Sequence, residues 1–472
     1  MMLPILLTFP LLAAVPLFSL RSRRAERSVL FLHALLTVGA VLYWAFAGPE
    51  EFIGYFRADT GNLLFLALIA AVYLAVIPAS YRYLEREKVS ELWHRIYVVA
   101  MLLFVFSMTG AVLAKNLGLF WVFIEATTLA SAPFIYFERH QSSLEATWKY
   151  VFICSVGIAI AFIGILFLAL SAKGVSDLFY TDLIANAPQL GRFWLLFSFP
   201  FLVVGLGTKA GVAPMHSWLP DAHSEAPSPV SAFLSGMLLN TAFYGLYRIF
   251  LVMEAAGLRR EAAIFFLVCG FASLLIGAVY ISGATNYKRL LAYSSIENMG
   301  IIFIGVALGG AGLFAAFLHL TAHALTKSSL FITAGNIAHL FGTKEIAGVR
   351  GLREADRPTG ALWGLGFAAI AGLPPFPIFI SEFLIAREMV TQGRFGLLAA
   401  FLLLVTLVLY GMARAAFGMY LGSAPAAAKA GPSRPIDRLP EAALLTALLI
   451  LGVAMPDAVR RIIDLATMSL LP

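Results

Sequence analysis

Fourteen mostly apolar runs dominate this 472-residue chain. They fall near 2–20, 28–47, 61–81, 95–114, 117–137, 146–171, 193–213, 228–253, 262–283, 289–308, 311–340, 361–390, 396–420 and 441–458. A helix needs about 20 apolar residues to cross the hydrocarbon core of a bilayer, where its backbone bonds must close internally. The runs therefore predict an all-α polytopic membrane protein of about 14 transmembrane helices. Runs 311–340 and 361–390 exceed one straight span and are expected to tilt or break. Composition agrees, with 61% hydrophobic and 12% charged residues, against about 25% charged in a soluble domain.

The first run is followed, not preceded, by Arg21, Arg23, Arg24 and Arg27. A secretory signal has the reverse order, so this run reads as a retained first helix. With the N-terminus outside, the odd-numbered connections carry roughly twice as many Lys and Arg as the even-numbered ones. This expectation places both termini on the outer face of a prokaryotic inner membrane. The soft loop Ser423–Pro440 then faces the cytoplasm. The net charge of +7 resides in these connections, so it points to membrane orientation rather than to nucleic acid.

Among the ionisable residues inside the apolar runs, Glu125, Lys149, Lys209, Glu297, His323 and Glu382 stand out. A charge at the bilayer centre costs roughly 2.5–3.5 kcal/mol even on the gentlest scale, so such residues mark function. They recur in order: Glu125 to Glu297 is 172 residues, Lys149 to His323 is 174, and Lys209 to Glu382 is 173. That offset covers about five spans, and an odd number forces the second copy to insert upside down. The division predicted is peripheral helices in 1–94, a first inverted repeat in 95–255 and a second in 256–422. A cytoplasmic loop and last helix occupy 423–472.

Spans 7 and 12 carry breakers. In GLGTKAGVAPMHSWLPDAHSEAPSPVSAFLSG, Lys209 is followed by Pro214, which lacks a backbone donor. In AIAGLPPFPIFISEFLIAREMV, Gly372, Pro374, Pro375 and Pro377 precede Glu382. Broken helices at membrane depth survive only beside protein or water. Glu125 has no local cation, so Lys209 is its expected partner, with Lys149 next. In span 11, His319, His323 and Lys327 follow at spacings of four and share one helical face, a pattern suited to a hydrated relay. The same His spacing occurs in zinc sites, but no third ligand lies near. Lys288 and Arg289 read as a cytoplasmic anchor for span 10, with Glu297 deeper and locally unpaired. His216, Asp221, His223 and Glu225, after span 7, form either an aqueous entry or a solvated turn. Cys154 and Cys269 read as packed thiols, and no Cys-x-x-Cys or phosphate-cradling glycine loop is present.

The strings PMHSWLPDAHSEAPSPVSA, KRLLAYSS, HLTAHALTKSSLF and GLPPFPIFISEF carry a family resemblance along nearly the whole chain. The chain resembles the antiporter-like membrane subunits shared by respiratory complex I, multisubunit Na+/H+ antiporters and group 4 hydrogenases. EATTLAS, EATWKYVFICSVG, PSPVSAFLSGMLLNTAFYG and AYSSIENMG are similar to component F of hydrogenase 4 and to formate hydrogenlyase subunits. The resemblance implies a proton-translocating, non-redox subunit beside other membrane subunits, lipid and a peripheral redox arm. Iron–sulfur and metal centres then belong to partner chains, with none in this one. Glu125 and Lys209 match the family's first half-channel, His319, His323 and Lys327 its relay, and Glu382 its exit. The family's central Lys or His of span 8 is replaced by Ser235 and Asn240, leaving Lys149, His223 or bound water to fill the link. Two alternatives stand beside this reading. One is an Mrp-like Na+/H+ exchanger, which needs oxygen-rich coordination. The other is an anchoring partner of a redox arm or of an inorganic-carbon concentrating complex.

Overall fold

The computed structural model describes residues 2–19, 22–173, 177–425, 428 and 434–468. Residues 426–427 and 429–433 of the loop expected at Ser423–Pro440, and both chain ends, lie outside them. The first helices are α1 Met2–Ser19, α2 Arg23–Ala47, α3 Thr60–Arg86, α4 Glu91–Leu113, α5 Leu117–Ile135 and α6 Gln141–Ser171. Then come α7 Tyr180–Ala185, α8 Arg192–Ala210, α9 Trp218–Glu225, α10 Ser228–Phe233 and α11 Leu239–Ala255. The second half holds α12 Arg259–Ser282, α13 Tyr287–Leu308, α14 Ala311–Phe341, α15 Leu352–Ala355 and α16 Arg357–Ile370. It ends with α17 Pro377–Thr391, α18 Phe395–Tyr420, α19 Leu439–Val453 and α20 Asp457–Met468. A small hairpin pairs β1 Glu50–Phe52 with β2 Phe56–Ala58, Glu50 opposite Ala58.

Local sequence sets the helix ends. Asp59 caps α3 in a reciprocal capping box with Asn62, Asn116 caps α5, and Asn286 caps α13 through the Lys288 and Arg289 amides. Span 7 breaks where Gly211 takes φ 72° after α8, and span 12 where Gly372 takes φ 62° after α16. Only glycine adopts that left-handed turn without strain. Small residues let helices touch. A Cβ on Gly205 of α8 would collide with the Ala161 backbone of α6, and one on Gly300 of α13 with the Gly270 carbonyl of α12.

Among the described residues, eleven helices are long and apolar enough to cross a membrane. The number is twelve if Pro435–Val453 and Asp457–Thr467, bent by 84°, count as one span. The expected fourteen is thus met only in its coarse form. Polar residues dilute α14, and the breaks divide spans 12 and 14 into pieces too short to qualify alone. The 311–340 run, expected to tilt or break, is one unbroken helix of 31 residues. The most apolar windows of Ser228–Ala255 and Tyr287–Leu308 are 100% and 94% buried, against 22% for α18. The centre of the bundle therefore holds α10, α11, α13 and α14. A five-residue π-helical segment, Leu234–Leu238, joins α10 to α11 and contains Ser235.

The halves echo each other at the level of elements. Leu117 of α5 to Tyr287 of α13 is 170 residues, and Gln141 of α6 to Ala311 of α14 is also 170. Both α6 and α14 have 31 residues. The two breaks do not keep that spacing, since Gly211 to Gly372 is 161. Lys209 precedes its break and Glu382 follows its own, so these two residues are not equivalent positions.

Candidate functional site

In the first half, Lys209 sits fully buried one residue before the end of α8. The expected direct pair with Glu125 is not formed. The Lys209 Nζ donates to the Tyr150 hydroxyl at 3.0 Å and lies 4.9 Å from that ring's centroid. Tyr150 Oη in turn is 2.6 Å from Ser131 Oγ on α5. Glu125, half-buried, accepts from Ser155 Oγ at 2.7 Å and Thr128 Oγ1 at 3.2 Å. Each partner of the anticipated pair has its own hydroxyl, and Tyr150 and Ser155 both come from α6. Trp218 stacks obliquely on Tyr150 and ties its Nε1 to the Thr208 carbonyl at 2.8 Å, which closes the broken end of α8.

Lys149, the second expected partner of Glu125, lies on the chain's surface with its side chain 46% exposed. It pairs with Glu145 at 2.7 Å and Asp221 at 3.2 Å, and Asp221 also meets Arg289 at 3.0 Å. The reason is its angular position. The buried face of α6 runs through Ala146, Tyr150, Cys154, Gly157 and Ala161, and Lys149 falls beside it.

In the second half the stripe on α14 is intact, with His319, His323 and Lys327 all fully buried. Lys327 Nζ donates to the Leu291 carbonyl at 2.7 Å and to Ser294 Oγ, both on α13. It forms no ion pair with Glu297, yet the two lie within electrostatic reach. Asn298 donates to Glu297 and presents its Oδ1 to His319 Nε2 at 3.0 Å. His319 Nδ1 lies 2.9 Å from Ser381 Oγ, next in sequence to Glu382 on α17. A polar path thus runs from Lys327 past Glu297 and Asn298 to His319 and Ser381. Half-buried Glu382 turns its carboxylate into the break, against Gly372.

The Ser381 contact has a chemical consequence. Its hydroxyl also reaches the Ile378 carbonyl at 2.8 Å. A neutral His319 takes the Ser381 proton at Nδ1. A protonated His319 donates from Nδ1 while Ser381 turns to the carbonyl. His319 can gain or lose a proton without losing a hydrogen bond.

Between the halves, Ser235 meets Ser295 at 2.8 Å, and Asn240 donates to the Gly236 carbonyl at 2.7 Å. His223 is fully buried rather than in a solvated turn, and it stacks on Phe331 of α14 with centroids 4.9 Å apart. It lies within electrostatic reach of Lys288 and Lys327, and His323 within reach of His223. Both ring nitrogens of His223 and of His323, and Oδ1 of Asn240, are buried without a protein hydrogen-bond partner among the described residues. Buried polar groups of this kind are the ones internal water serves.

A cleft of about 890 Å³ opens beside this junction. Five of the odd-numbered connections, the third to the eleventh, meet around it: residues of 82–90, 137–140, 224–229, 286–288 and 335–345 form much of its wall. Lys288, expected as a surface anchor, is instead buried in that wall, donating to the Ala226 carbonyl at 2.6 Å and the Ser224 carbonyl at 3.3 Å. Ser224 borders the cleft and His223 stands directly behind it. Among the described residues no group of three His, Cys, Asp or Glu is arranged to hold a metal, and both cysteines are free and buried.

Sequence reasoning missed Tyr150, Ser131, Ser155, Asn298 and Ser381. Most are small polar residues, common in any packed membrane helix. Tyr150 had a usable signal, because it shares the small-residue face of α6 with Gly157 and Ala161.

A mostly helical bundle with interrupted spans and a buried row of protonatable side chains is the architecture of an antiporter-like membrane subunit. The chain belongs to the family described as NADH:quinone oxidoreductase/Mrp antiporter, TM, whose model matches residues 114–408. It is 36% identical over 406 residues to the Hydrogenase-4 component F homolog of Methylacidiphilum infernorum, covering 83% of this chain and 84% of that protein. It is 28% identical over 347 residues to NADH-quinone oxidoreductase subunit N of Desulforudis audaxviator, covering 71% and 68%. Longer relatives are matched over about half their length. A chain in the structure of the Mrp complex from Dietzia sp. DQ12-45-1b superposes with a TM-score of 0.86. That match has 22% identity and covers 99% of this chain and 97% of that one, a likeness of fold. The protein is therefore a multi-span integral membrane protein whose relatives are parts of multisubunit membrane complexes.

Proposed function

We propose that this chain moves protons across the prokaryotic inner membrane as a non-redox subunit of a hydrogenase-type or complex I-like assembly. The observation that carries the reading is the run of buried protonatable side chains from the cleft to Glu382: His223, His323, Lys327, Glu297, His319. Lys209 with Glu125 forms the second store of charge. Lys149 is left out of the path, and His223 takes the central place that Ser235 and Asn240 leave empty of charge.

The finer architecture belongs to the same proposal. Adding α14, the α16–α17 pair and the α19–α20 pair to the eleven qualifying helices gives fourteen spans. The 170-residue recurrence of α5 in α13 and α6 in α14 supports two inverted units, 95–255 and 256–422, between peripheral helices 1–94 and a last segment 423–472. The grouping of five odd-numbered connections around one cleft that holds Arg82, Arg86, Lys88, Arg139, Lys288 and Lys344 supports a cytoplasmic cleft and outer termini. Redox centres reside in partner chains, and a neighbouring membrane subunit supplies the charge shift that drives each transfer.

Moving one charge against 100 mV requires about 2.3 kcal/mol. Loss of a partner by a buried charge costs about 3–5 kcal/mol, enough to gate such a step. The test is the assembled complex in liposomes with Lys209→Ala. Protons translocated per turnover are expected to fall to near zero, and an unchanged ratio overturns the proposal. A Na+-dependent pH change in vesicles holding this chain alone would favour an Mrp-like exchanger instead.

A further inference from the structure

We propose that Tyr150, seated by Ser131, is the partner that holds Lys209 between transfers and allows it to exist as either ammonium or amine. This rests on the reading that Lys209 carries a translocated proton. The geometry is a buried chain of three groups: Lys209 Nζ to Tyr150 Oη at 3.0 Å, Tyr150 Oη to Ser131 Oγ at 2.6 Å, and Ser131 Oγ to the Thr127 carbonyl at 2.6 Å. All three side chains are fully buried.

A carboxylate accepts hydrogen bonds only, so a Lys–Glu pair favours the charged lysine and resists its deprotonation. A hydroxyl is both donor and acceptor. With Lys209 charged, protons point from Lys209 to Tyr150, from Tyr150 to Ser131 and from Ser131 to the Thr127 carbonyl. With Lys209 neutral, Ser131 turns to donate to Tyr150, and Tyr150 donates to the amine lone pair. The hydroxyls rotate and no heavy atom moves. The face of the ring adds attraction for the ammonium. Glu125 meanwhile rests on Ser155 and Thr128, which keeps it from capturing Lys209. The second half repeats the device independently, with His319 served by Ser381 and Ser381 by the Ile378 carbonyl.

Among the described residues, the titratable groups within electrostatic reach of Lys209 are Tyr150 and Cys154 of α6 and Glu125 of α5. Removing the Tyr150 hydroxyl leaves Glu125 as the remaining strong acceptor, and the pair closes. The loss of one hydrogen bond to a charged group shifts such an equilibrium roughly tenfold or more. The experiment compares Tyr150→Phe, Ser131→Ala and Lys209→Ala in the assembled complex in liposomes, reading protons per turnover against pH. Tyr150→Phe is expected to lower translocation roughly tenfold at neutral pH, with the profile moved to the alkaline side. Ser131→Ala is expected to move it the same way by less. A Tyr150→Phe profile identical to wild type, or a uniform loss with no movement along the pH axis, overturns the role of Tyr150. If Lys209→Ala still abolishes translocation, the proton-carrying reading of Lys209 survives that failure. If Lys209→Ala has no effect, both fall. Should Tyr150→Phe fail to assemble, the Ser131→Ala profile decides alone: an alkaline move supports the role and an unmoved profile overturns it.

Discussion

A buried base keeps exchanging protons only when each of its charge states finds a partner, because an orphaned buried group costs about 1–3 kcal/mol. His319 meets that condition through Ser381 at Nδ1 and Asn298 at Nε2. Replacing Ser381 by Ala removes the partner at Nδ1 and is expected to slow translocation about fivefold to tenfold, with Ser381→Thr restoring most of it; the rate of acidification in proteoliposomes checks this. Lys149 provides the contrast. Its ion pairs are exposed, and exposed pairs contribute only about 0.2–1 kcal/mol. Lys149→Ala is expected to change translocation less than about twofold in the same assay. Sequence spacing grouped Lys149 with the buried charges because apolar runs reveal depth but not the angle at which a side chain leaves its helix. Its neighbour Tyr150, about 100° further round, takes the inward place.

At the scale of elements, the breaks in spans 7 and 12 were legible from glycine and proline, and both fall where those residues stand. Their unequal positions relative to Lys209 and Glu382 were legible too, since Pro214 follows Lys209 while Gly372, Pro374, Pro375 and Pro377 precede Glu382, but the matched offset of the two charges hid that difference. Gly372 joins a positive φ to direct contact with the Glu382 carboxylate. A Cβ there both strains the backbone by about 1–2 kcal/mol and displaces that carboxylate. Gly372→Ala is expected to lower the thermal midpoint of the purified complex and impair translocation together, while Gly418→Ala, with open space around its Cβ, leaves both unchanged.

At the scale of the molecule, buried Glu441 ties α19 to α3 by an ion pair and to α14 by a hydrogen bond. Glu441 of α19, fully buried, lies 3.5 Å from Arg82 of α3 and accepts from Asn336 of α14 at 2.7 Å. Glu441→Ala leaves Arg82 without its counter-ion and is expected to cost about 3–5 kcal/mol, read as a lowered unfolding midpoint of the complex in detergent. The membrane class, the broken spans and the α14 stripe could be read from residues alone. The cleft, the buried Lys288 and the inward turn of His223 required the packing of connections distant in sequence. That packing brings the cleft within one residue of His223, and the proposed path from there depends on water at ring nitrogens that no protein group among the described residues serves. The most direct measurement is a cryo-EM map of the assembled complex at a resolution that shows ordered water. Waters within hydrogen-bond distance of the His223 and His323 nitrogens, continuous with the cleft, are expected; a dry, closely packed seal around both imidazoles would contradict the proposed path.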